Sequence, residues 1–429
     1  MDLSTVGERI KQLRKERKLT LAQLAQDKMS AAMVSLIENG KSNPSAENLK
    51  HIANVLNVNI SDLLGGMSRE SLQKKATSIA KRIEVKLDLS TLQITLQEIQ
   101  ELIPDLGHNV ESAKIYECYV RCLYALYVFY PKEFKLYEDK NWNRYLQKAE
   151  SIYADLKMES KVLGIRHRLA EMESVNGNYH RTIEIVDDSL YIVKSMDSLD
   201  TISNMVRLML LKVYCLEALG HTDETFTLLH EVIEFSNQYM MLNHFFEIHN
   251  LGAMLYYQEN EFEKAREFVG KINKFFEIIH HEELYIEKEF IMIHYMEFFE
   301  DEPKLSLDMI QNLEGKLSNL TLYNEVVDQR LQNMLSDLKA RCYTKLKETE
   351  KALPLFRELL NDTHAGVHPM DVALREVNKS YQALCYMELG DKEKAEKTAK
   401  ESVAILKKYP RTTYYHFARN VLKEVQQMK

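Results

Sequence analysis

A turn motif that recurs six times most constrains how this chain of 429 residues can fold. Each copy places a short polar turn before a helical pattern, with a small residue where two helices would pack closest. The small residues are Thr182, Thr225, Ala265, Ser306, Ala352 and Ala395, at intervals of 43, 40, 41, 46 and 43 residues. Repetition with a period of about 20–50 residues is typical of stacked supersecondary units.

The copies include NGNYHRTIEIVDDSL at 176–190, ENEFEKAREFVGKI at 259–272 and LGDKEKAEKTAKESV at 389–403. They resemble tetratricopeptide repeats with lengthened helices, because the usual period is about 34 residues. The resemblance implies a right-handed α-solenoid whose concave surface is lined by the first helix of each pair. Only 13 Gly and 7 Pro occur in the whole chain, which also favours an all-α fold.

Charge and aromatic residues divide the chain into two parts. Residues 1–65 contain nine Lys/Arg and seven Asp/Glu, a net charge of +2, whereas the whole chain carries −8, so the remainder carries −10. The first tyrosine is Tyr116 and the first phenylalanine is Phe129. A locally basic N-terminal part can bind nucleic acid even in an acidic chain.

The first 65 residues have apolar residues at helical spacing, separated by helix-capping signals. Thr20 with Gln23 forms a capping box, Ser30 begins a third helix, and Gly40 ends it. Pro44-Ser45 begins a fourth helix and Ser61 a fifth. We therefore predict a compact domain of five helices.

Three stretches of this part resemble the Cro/CI-type (XRE) helix-turn-helix family: RIKQLRKERKLTLAQLA, SAAMVSLIENGKSNPS and LKHIANVLNVNISDLL. The resemblance covers about residues 6–64 and implies that the helix at Ser30–Asn39 enters the major groove of DNA, while Thr20–Gln26 crosses the backbone. It also implies a charged pair, Arg14 with Glu38, that ties the first helix to the end of the third. The DNA-binding residues that we predict are Arg9, Ser30, Ala31, Ala32, Met33, Ser35, Leu36, Asn39, Lys41 and Asn43.

The helix expected to read DNA departs from what base recognition usually needs. Ala31, Ala32 and Leu36 hold the base-reading positions, and Leu21 stands where the family usually has a phosphate-contacting glutamine. Alanine and leucine can contact a thymine methyl but cannot form a bidentate pair with guanine or adenine. We expect affinity from the six basic residues between Arg9 and Lys18, and specificity from DNA shape and from two half-sites read by a dimer.

We predict three segments: a DNA-binding domain at 1–66, a helical linker at 67–101, and a repeat domain for binding and oligomerisation at 102–429. Gly65-Gly66 marks the first boundary. The start of the chain has no signal-peptide pattern, and the longest apolar run, Cys122–Tyr130, is too short to span a bilayer. We expect a cytoplasmic protein without a membrane segment, whose five cysteines are buried apolar residues.

A helix-turn-helix domain joined to such a solenoid resembles the cytosolic peptide-pheromone receptors of Gram-positive bacteria, the Rgg/NprR/PlcR/PrgX/Rap group. The resemblance implies a homodimer or higher homo-oligomer that binds double-stranded DNA and a short signalling peptide. Its peptide-gripping residues are typically asparagines on first helices. We carry this over to Asn204, Asn250, Asn333 and Asn378, and add Arg207, Tyr214, Tyr295, Asp337 and Arg341 as groove residues.

We therefore predict a transcription regulator used in quorum sensing, switched by a peptide on the concave surface. An alternative stays open: the solenoid docks a signalling protein, such as a phosphorelay response regulator, and inhibits it. An enzyme is disfavoured, because the sequence has no GxxxxGK[ST], HExxH or GxSxG motif, and HHEEL at 280–284 has the wrong spacing for a helical metal pair. We expect no cofactor, metal site or catalytic residue.

Overall fold

The computed structural model describes residues 5–58, 60, 63, 69–85, 87–137, 140–196, 198–318, 325–356 and 368–427. All regular structure within these ranges is helical, which confirms the predicted all-α class. The chain forms two compact units: Met1–Leu123 with Arg144–Leu156, and Tyr124–Asn143 with Lys157–Lys429. The domain boundaries expected at residues 66 and 101 stay predictions.

The N-terminal part begins with four short helices, α1 (Val6–Glu16), α2 (Leu21–Ala25), α3 (Ala31–Glu38) and α4 (Ala46–Leu56). Thr20 and Gln23 form the predicted capping box, and Ser30 and Ser45 cap α3 and α4. Thr5 and Glu8 form a further capping box that the sequence analysis missed. The cap expected at Ser61 lies outside the described residues.

The core of these four helices consists of the apolar residues whose spacing predicted it. Ile10, Leu24, Val34, Ile37 and Ile52 are buried against one another. Their burial supplies most of the stabilisation of such a small bundle, since each fully buried aliphatic side chain contributes about 1.5–3 kcal/mol. This packing fixes the orientation of α3.

Longer helices follow. They are α5 (Arg69–Val85), α6 (Leu89–Leu102), α7 (Val110–Phe129), the short α8 (Pro131–Leu136) and α9 (Trp142–Asp155). A single 3₁₀ turn at Ile103–Asp105 follows α6. All five cysteines of the chain, two of which lie on α7, are buried and unpaired, as predicted.

Within its described residues, the second unit contains six successive helix pairs, as the six turn motifs predicted. The pairs are α10 (Glu159–Val175) with α11 (Tyr179–Tyr191), α12 (Leu199–Leu219) with α13 (Thr222–Gln238), α14 (Phe245–Gln258) with α15 (Phe262–Ile278), α16 (Glu282–His294) with α17 (Pro303–Leu317), α18 (Glu325–Lys345) with α19 (Thr349–Ala352), and α21 (Asn378–Glu388) with α22 (Lys392–Leu406). A π-helical turn at Tyr295–Phe299 extends α16; α20 (Pro369–Glu376) precedes the last pair and α23 (Thr413–Gln426) follows it.

Each turn between paired helices contains one residue in the left-handed conformation. These residues are Gly177, Gly220, Asn260, Asp301, Lys347 and Gly390, each five positions before the small residue of its pair. The six small residues are all buried, with at most 1% of their surface exposed. The turn and the close-packing position therefore form one repeated unit, which confirms the interpretation of the motif.

The hydrophobic core of the second unit is a series of clusters between neighbouring pairs. One cluster joins α12, α13 and α14, and the next joins α14, α15 and α16. Further clusters continue to α23. Such neighbour-to-neighbour packing is the expected organisation of a helical-repeat array.

Contacts between distant repeats depart from a simple stack, in which each repeat contacts only its neighbours. His368 approaches the carbonyl of Tyr214 on α12 at 3.1 Å, and Arg411 donates to the carbonyl of Leu219 at 3.0 Å. Thr413 donates its N–H and its hydroxyl to Gln258 Oε1 at the end of α14. Residues that flank the last helix pair are thus bonded to the first helices of earlier pairs.

Candidate DNA-binding and peptide-binding sites

Helix α3 is bounded by the two signals that the sequence provides. Ser30 Oγ accepts a hydrogen bond from the N–H of Met33 at 3.1 Å. Gly40 adopts a positive φ of 70°, and the N–H of Lys41 donates to the carbonyl of Leu36 at 2.8 Å. Ser30, Gly40 and Lys41 therefore fix where this helix begins and ends.

A bidentate ion pair holds α3 against α1. Arg14 donates through Nε and Nη2 to the two carboxylate oxygens of Glu38, at 2.6 and 2.7 Å, and through Nη1 to the carbonyl of Leu19 at 2.9 Å. Only 3% of the Glu38 side chain and 12% of the Arg14 side chain are exposed. The hydrogen bonds that Arg14 donates to Glu38 raise the pKa of Arg14. The structure thus confirms that this pair ties α1 to the end of α3.

Most of the predicted DNA-binding residues lie on an exposed surface of α3 and the turn after it. Met33 and Leu36 are 39% and 44% exposed, although they are large apolar side chains. Three of the set, Arg9, Ala31 and Ser35, are half-buried; the exposed members are Ser30, Ala32, Met33, Leu36, Asn39, Lys41 and Asn43. This surface has little hydrogen-bonding capacity for base edges, as the sequence indicated.

Two of the predicted polar contacts are already engaged inside the domain. Arg9 is half-buried and its Nε donates to the carbonyl of Leu63 at 3.0 Å. Asn39 Nδ2 donates to the carbonyl of Ser35 at 2.8 Å, and Asn39 Oδ1 accepts from Lys11 Nζ at 3.3 Å. The roles of Arg9 and Asn39 in DNA binding stay predictions.

The predicted peptide-binding residues lie on first helices of the pairs, and several bond to neighbouring first helices. Asn204 Nδ2 on α12 donates to the carbonyl of Ser160 on α10 at 2.9 Å. The hydroxyl of Tyr295 donates to Asn250 Oδ1 on α14 at 2.8 Å. Tyr295 itself is buried, so it supports Asn250 from beneath.

The candidates on α18 and α21 are less accessible than expected. Arg341 and Asn378 are 3% and 7% exposed, and Arg341 Nε donates to Asn378 Oδ1 at 2.6 Å. Asn333 Oδ1 accepts from Gln329 Nε2 at 3.0 Å, and both Asn333 and Asp337 are half-buried. Asn333 and Asp337 are therefore partly accessible in this structure, whereas Arg341 and Asn378 are buried.

Arg207 on α12 is exposed and lies close to His167 on α10. Burial, together with the positive charges of Arg168 and Arg207, lowers the pKa of His167 to about 3. His167 is therefore neutral at physiological pH. Arg168 is paired with Glu171 at 2.5 Å, so the exposed Arg207 is the positive charge that this end of the first-helix surface presents.

Farther along α12, Tyr214 lies in an acidic environment. Burial raises its pKa, and the negative charges of Glu247, Asp371 and Glu287 add to the effect. The ring of Tyr214 lies 5.6 Å from the ring of His368 in an edge-on arrangement. The sequence analysis missed His368, because 154 residues separate the two and no local pattern links them.

Comparison with known proteins identifies the N-terminal part. Residues 10–63 match the family model described as helix-turn-helix. This part of the chain is a helix-turn-helix domain. An immunity repressor protein of Bacillus phage phi105 is 39% identical over 93 residues, which are 20% of this chain and 65% of the repressor.

Solved structures of several regulators are similar to more of the chain. Bacillus thuringiensis PlcR, in complex with the peptide PapR7 and DNA, is 18% identical with a TM-score of 0.35, covering 67% of this chain and 98% of PlcR. The competence regulator ComR of Streptococcus vestibularis is 15% identical with a TM-score of 0.34, covering 68% and 96%. The pheromone receptor Rgg2 of Streptococcus dysgalactiae is 10% identical with a TM-score of 0.28, covering 72% and 99%.

Within the described ranges, no group of three or more His, Cys, Asp or Glu side chains is arranged to hold a metal ion. In the same ranges, no helix combines the length and apolar character needed to cross a bilayer. Burial raises the pKa of the Cys118 thiol to about 11, so this cysteine is not a reactive thiolate.

The contact of His368 with α12 should make stability depend on pH. Burial by itself lowers the pKa of His368, but Glu217, 3.0 Å away, and Asp371 outweigh it, so the pKa lies above 6.5. A raised folded-state pKa contributes stability below pH 6.5, and this contribution is lost as pH rises through the folded-state value. We expect His368→Ala to lower the urea midpoint more at pH 6 than at pH 8.5, with the difference between the two pH values abolished in a Glu217→Gln background.

Proposed function

We propose that this protein is a transcription regulator that binds operator DNA as a homodimer or higher homo-oligomer and is switched by a short signalling peptide. The peptide would bind along the first helices of the repeat pairs. The observation that carries the proposal is the environment of Asn250. Its Oδ1 accepts a hydrogen bond from the Tyr295 hydroxyl, while none of the described residues forms a hydrogen bond with its Nδ2. Asn250 is only half-buried, so this oriented amide can bond to a peptide backbone.

The first-helix surface supplies further polar groups for such a ligand. Asn204, Arg207 and Tyr214 are at least partly exposed on α12, as are Asn333 and Asp337 on α18. Preorganised amides that pair with backbone N–H and C=O groups give affinity with little demand on side chains. The proposal thus gives a role to the polar residues on the first-helix surface, which an array with a purely structural function would not need.

Peptide binding should act on DNA through a population shift. A peptide that prefers one arrangement of the repeats changes whether two α3 helices can reach half-sites one DNA turn apart. A switch from mostly off to mostly on requires a peptide preference of about 5.5 kcal/mol between the two forms. The direction of the effect, release or promotion of DNA binding, follows from which form the peptide prefers.

The test begins with recovery of any peptide that co-purifies with the protein. The same peptide is then synthesised, and operator footprinting is done with the full chain in its presence and absence. We expect peptide to change operator occupancy and Asn250→Ala to weaken that response at least tenfold. Asn312→Ala, an exposed asparagine on the second helix α17, is the matched control and should respond like the wild type. The proposal fails if no peptide co-purifies and occupancy never changes.

DNA recognition by α3 gives a separate prediction. Leu36→Ala removes an exposed apolar contact to base edges and should reduce discrimination between operator and unrelated DNA. Lys41→Ala removes a positive charge beside the recognition helix, which should weaken binding to all sequences and reduce the salt slope by about 1 per binding subunit. Titrations of both variants at several salt concentrations distinguish the two effects; equal losses on operator and random DNA for Leu36→Ala would contradict base contact.

A second candidate function is docking of a signalling protein, such as a phosphorelay response regulator. The observation that favours it is a set of exposed apolar side chains between successive pairs, at Tyr191, Leu199, Met240, Leu242 and Ile278. Exposed apolar side chains of this size commonly mark protein contacts. Recovery of a stoichiometric protein, lost in Met240→Glu, would favour docking, whereas recovery of a short peptide favours the first proposal.

A further inference from the structure

Arg341 on α18 has an unusual environment for a buried cation. Only 3% of the residue is exposed. Its Nε donates to Asn378 Oδ1 and its Nη2 to the carbonyl of Leu374, both at 2.6 Å. Its Nη1 is buried and has no hydrogen-bond partner among the described residues, and none of their carboxylates forms an ion pair with it.

The acidic side chain that contacts Tyr381, as Arg341 does, is engaged through one of its two oxygens. Glu297, completely buried in the π-helical turn after α16, accepts from the hydroxyl of Tyr381 at 2.6 Å and pairs with Lys345 Nζ at 3.3 Å. Among the described residues, no carboxylate bonds directly to Arg341, so within this part of the chain its positive charge has no direct counter-charge. A buried charge without a counter-charge is costly, so an anion that pairs with it would bind favourably.

Two more buried polar atoms close to Arg341 lack a partner among the described residues. They are Nδ1 of His294, which is 8% exposed, and Oε2 of Glu297. The ring of Tyr381 lies 5.7 Å from the Arg341 guanidinium, and His294 Nε2 lies 2.8 Å from the hydroxyl of Tyr414. Unpaired buried polar atoms are rare in folded proteins, and several together indicate a polar ligand site.

We propose that Arg341 is the carboxylate-binding residue of the peptide site, a statement that rests on the function proposed above. The free edge of its guanidinium, formed by Nη1 and the second N–H of Nη2, matches the two oxygens of a carboxylate. Asn378 and the Leu374 carbonyl hold this edge in a fixed orientation. His294 Nδ1 is available to bond to the same ligand.

On this proposal, access to Arg341 requires movement at the start of α23, where Tyr414 lies close enough to be affected by the Arg341 charge. Tyr414 bonds to His294, and its ring lies 4.7 Å from the ring of Phe298. Thr413, the residue before it, bonds to Gln258 on α14. A ligand that reaches Arg341 displaces these contacts, so carboxylate binding is coupled to release of the C-terminal helix from α14 and α16.

The experiment uses the full-length protein and three synthetic heptapeptide pools of randomised sequence. The first has a free C-terminal carboxylate and no Asp or Glu; the second is C-terminally amidated with one Asp or Glu at a randomised position; the third is amidated and has no acidic residue. Peptides retained after gel filtration are quantified by mass spectrometry. We expect the first or second pool to be retained at least tenfold more than the third, and the preferred pool shows whether the carboxylate is terminal or a side chain.

Arg341→Lys keeps the positive charge but loses the planar guanidinium that can bond to both carboxylate oxygens. It should reduce the preferred retention of carboxylate-bearing peptides over the third pool to less than threefold. Arg330→Lys, on the same helix but bonded to the Val128 carbonyl, should retain it. Equal retention of all three pools by the wild type would refute the assignment to Arg341 while leaving peptide binding intact. Retention of none of the pools would refute both peptide binding and the assignment to Arg341. An unchanged preference for acidic or free-carboxylate peptides in Arg341→Lys would refute the assignment to Arg341 but not peptide binding.

Discussion

Replacement of Glu38 by alanine should unfold the helix-turn-helix domain and abolish DNA binding. Glu38 receives two hydrogen bonds from Arg14, and both side chains are largely buried. The substitution leaves the Arg14 guanidinium buried without its counter-charge, a loss that typically costs about 3–5 kcal/mol. Native proteins have total stabilities of about 5–15 kcal/mol, and for a domain of this small size, near the low end of that range, this loss removes most of the folding free energy.

Fluorescence would not report this effect, because the first aromatic residue of the chain is Tyr116. Hydrogen exchange of α1–α4 is the appropriate measurement, with operator binding as the second readout. Glu47→Ala, which removes an exposed carboxylate from the first turn of α4, is the matched control and should change stability by less than about 1 kcal/mol. Wild-type protection in Glu38→Ala would show that the ion pair does not stabilise the domain.

The double variant Arg14→Met with Glu38→Leu separates two explanations. If the loss comes from an unpaired buried charge, two apolar residues of similar volume should restore much of the protection. If the pair is needed for the position of α3 itself, protection returns but operator affinity stays low. Either result would explain why the sequence retains a charged pair inside so small a core.

Local signals in the sequence predicted the fold well. Thr20, Ser30 and Ser45 cap the helices that they were expected to cap, because a capping bond involves only residues three positions apart. The repeat spacing located six helix pairs and their close-packed small residues. Both successes depend on short-range periodicity, which a single sequence displays directly.

The candidate site was less predictable, because its contacts join residues far apart in the chain. Alignment of the repeats placed Arg341 and Asn378 on first helices, but their mutual hydrogen bond and deep burial depend on how α18, α20 and α21 pack. The contacts of His368 with Tyr214 and of Tyr414 with His294 span 154 and 120 residues. No periodic pattern indicates such pairs, and co-variation between homologues would be the signal that reveals them.

Gly252 is a residue whose importance the sequence analysis missed, and its replacement by alanine should destabilise the repeat array. A Cβ at Gly252 on α14 would lie 2.4 Å from Cε1 and 2.5 Å from Cδ1 of Phe268 on α15, closer than side chains can approach. Phe268 is itself buried, so its ring cannot move freely. Overpacking of this kind costs about 1–3 kcal/mol, which exceeds the gain of about 1 kcal/mol that alanine brings to a helix interior.

Gly270 provides the matched control, because it lies on α15 of the same pair and a Cβ there would meet no atom within 4 Å. Gly270→Ala should therefore stabilise the pair by up to about 1 kcal/mol. Hydrogen exchange of α14 and α15 in both variants measures the contrast, since whole-chain unfolding of a repeat array need not be two-state. If hydrogen-exchange protection of α14 and α15 is as high in Gly252→Ala as in Gly270→Ala, the packing of Phe268 does not depend on a glycine at position 252. A loss of protection in Gly252→Ala together with a gain in Gly270→Ala would show that the close approach of α14 to α15 depends on Gly252 as well as on Ala265.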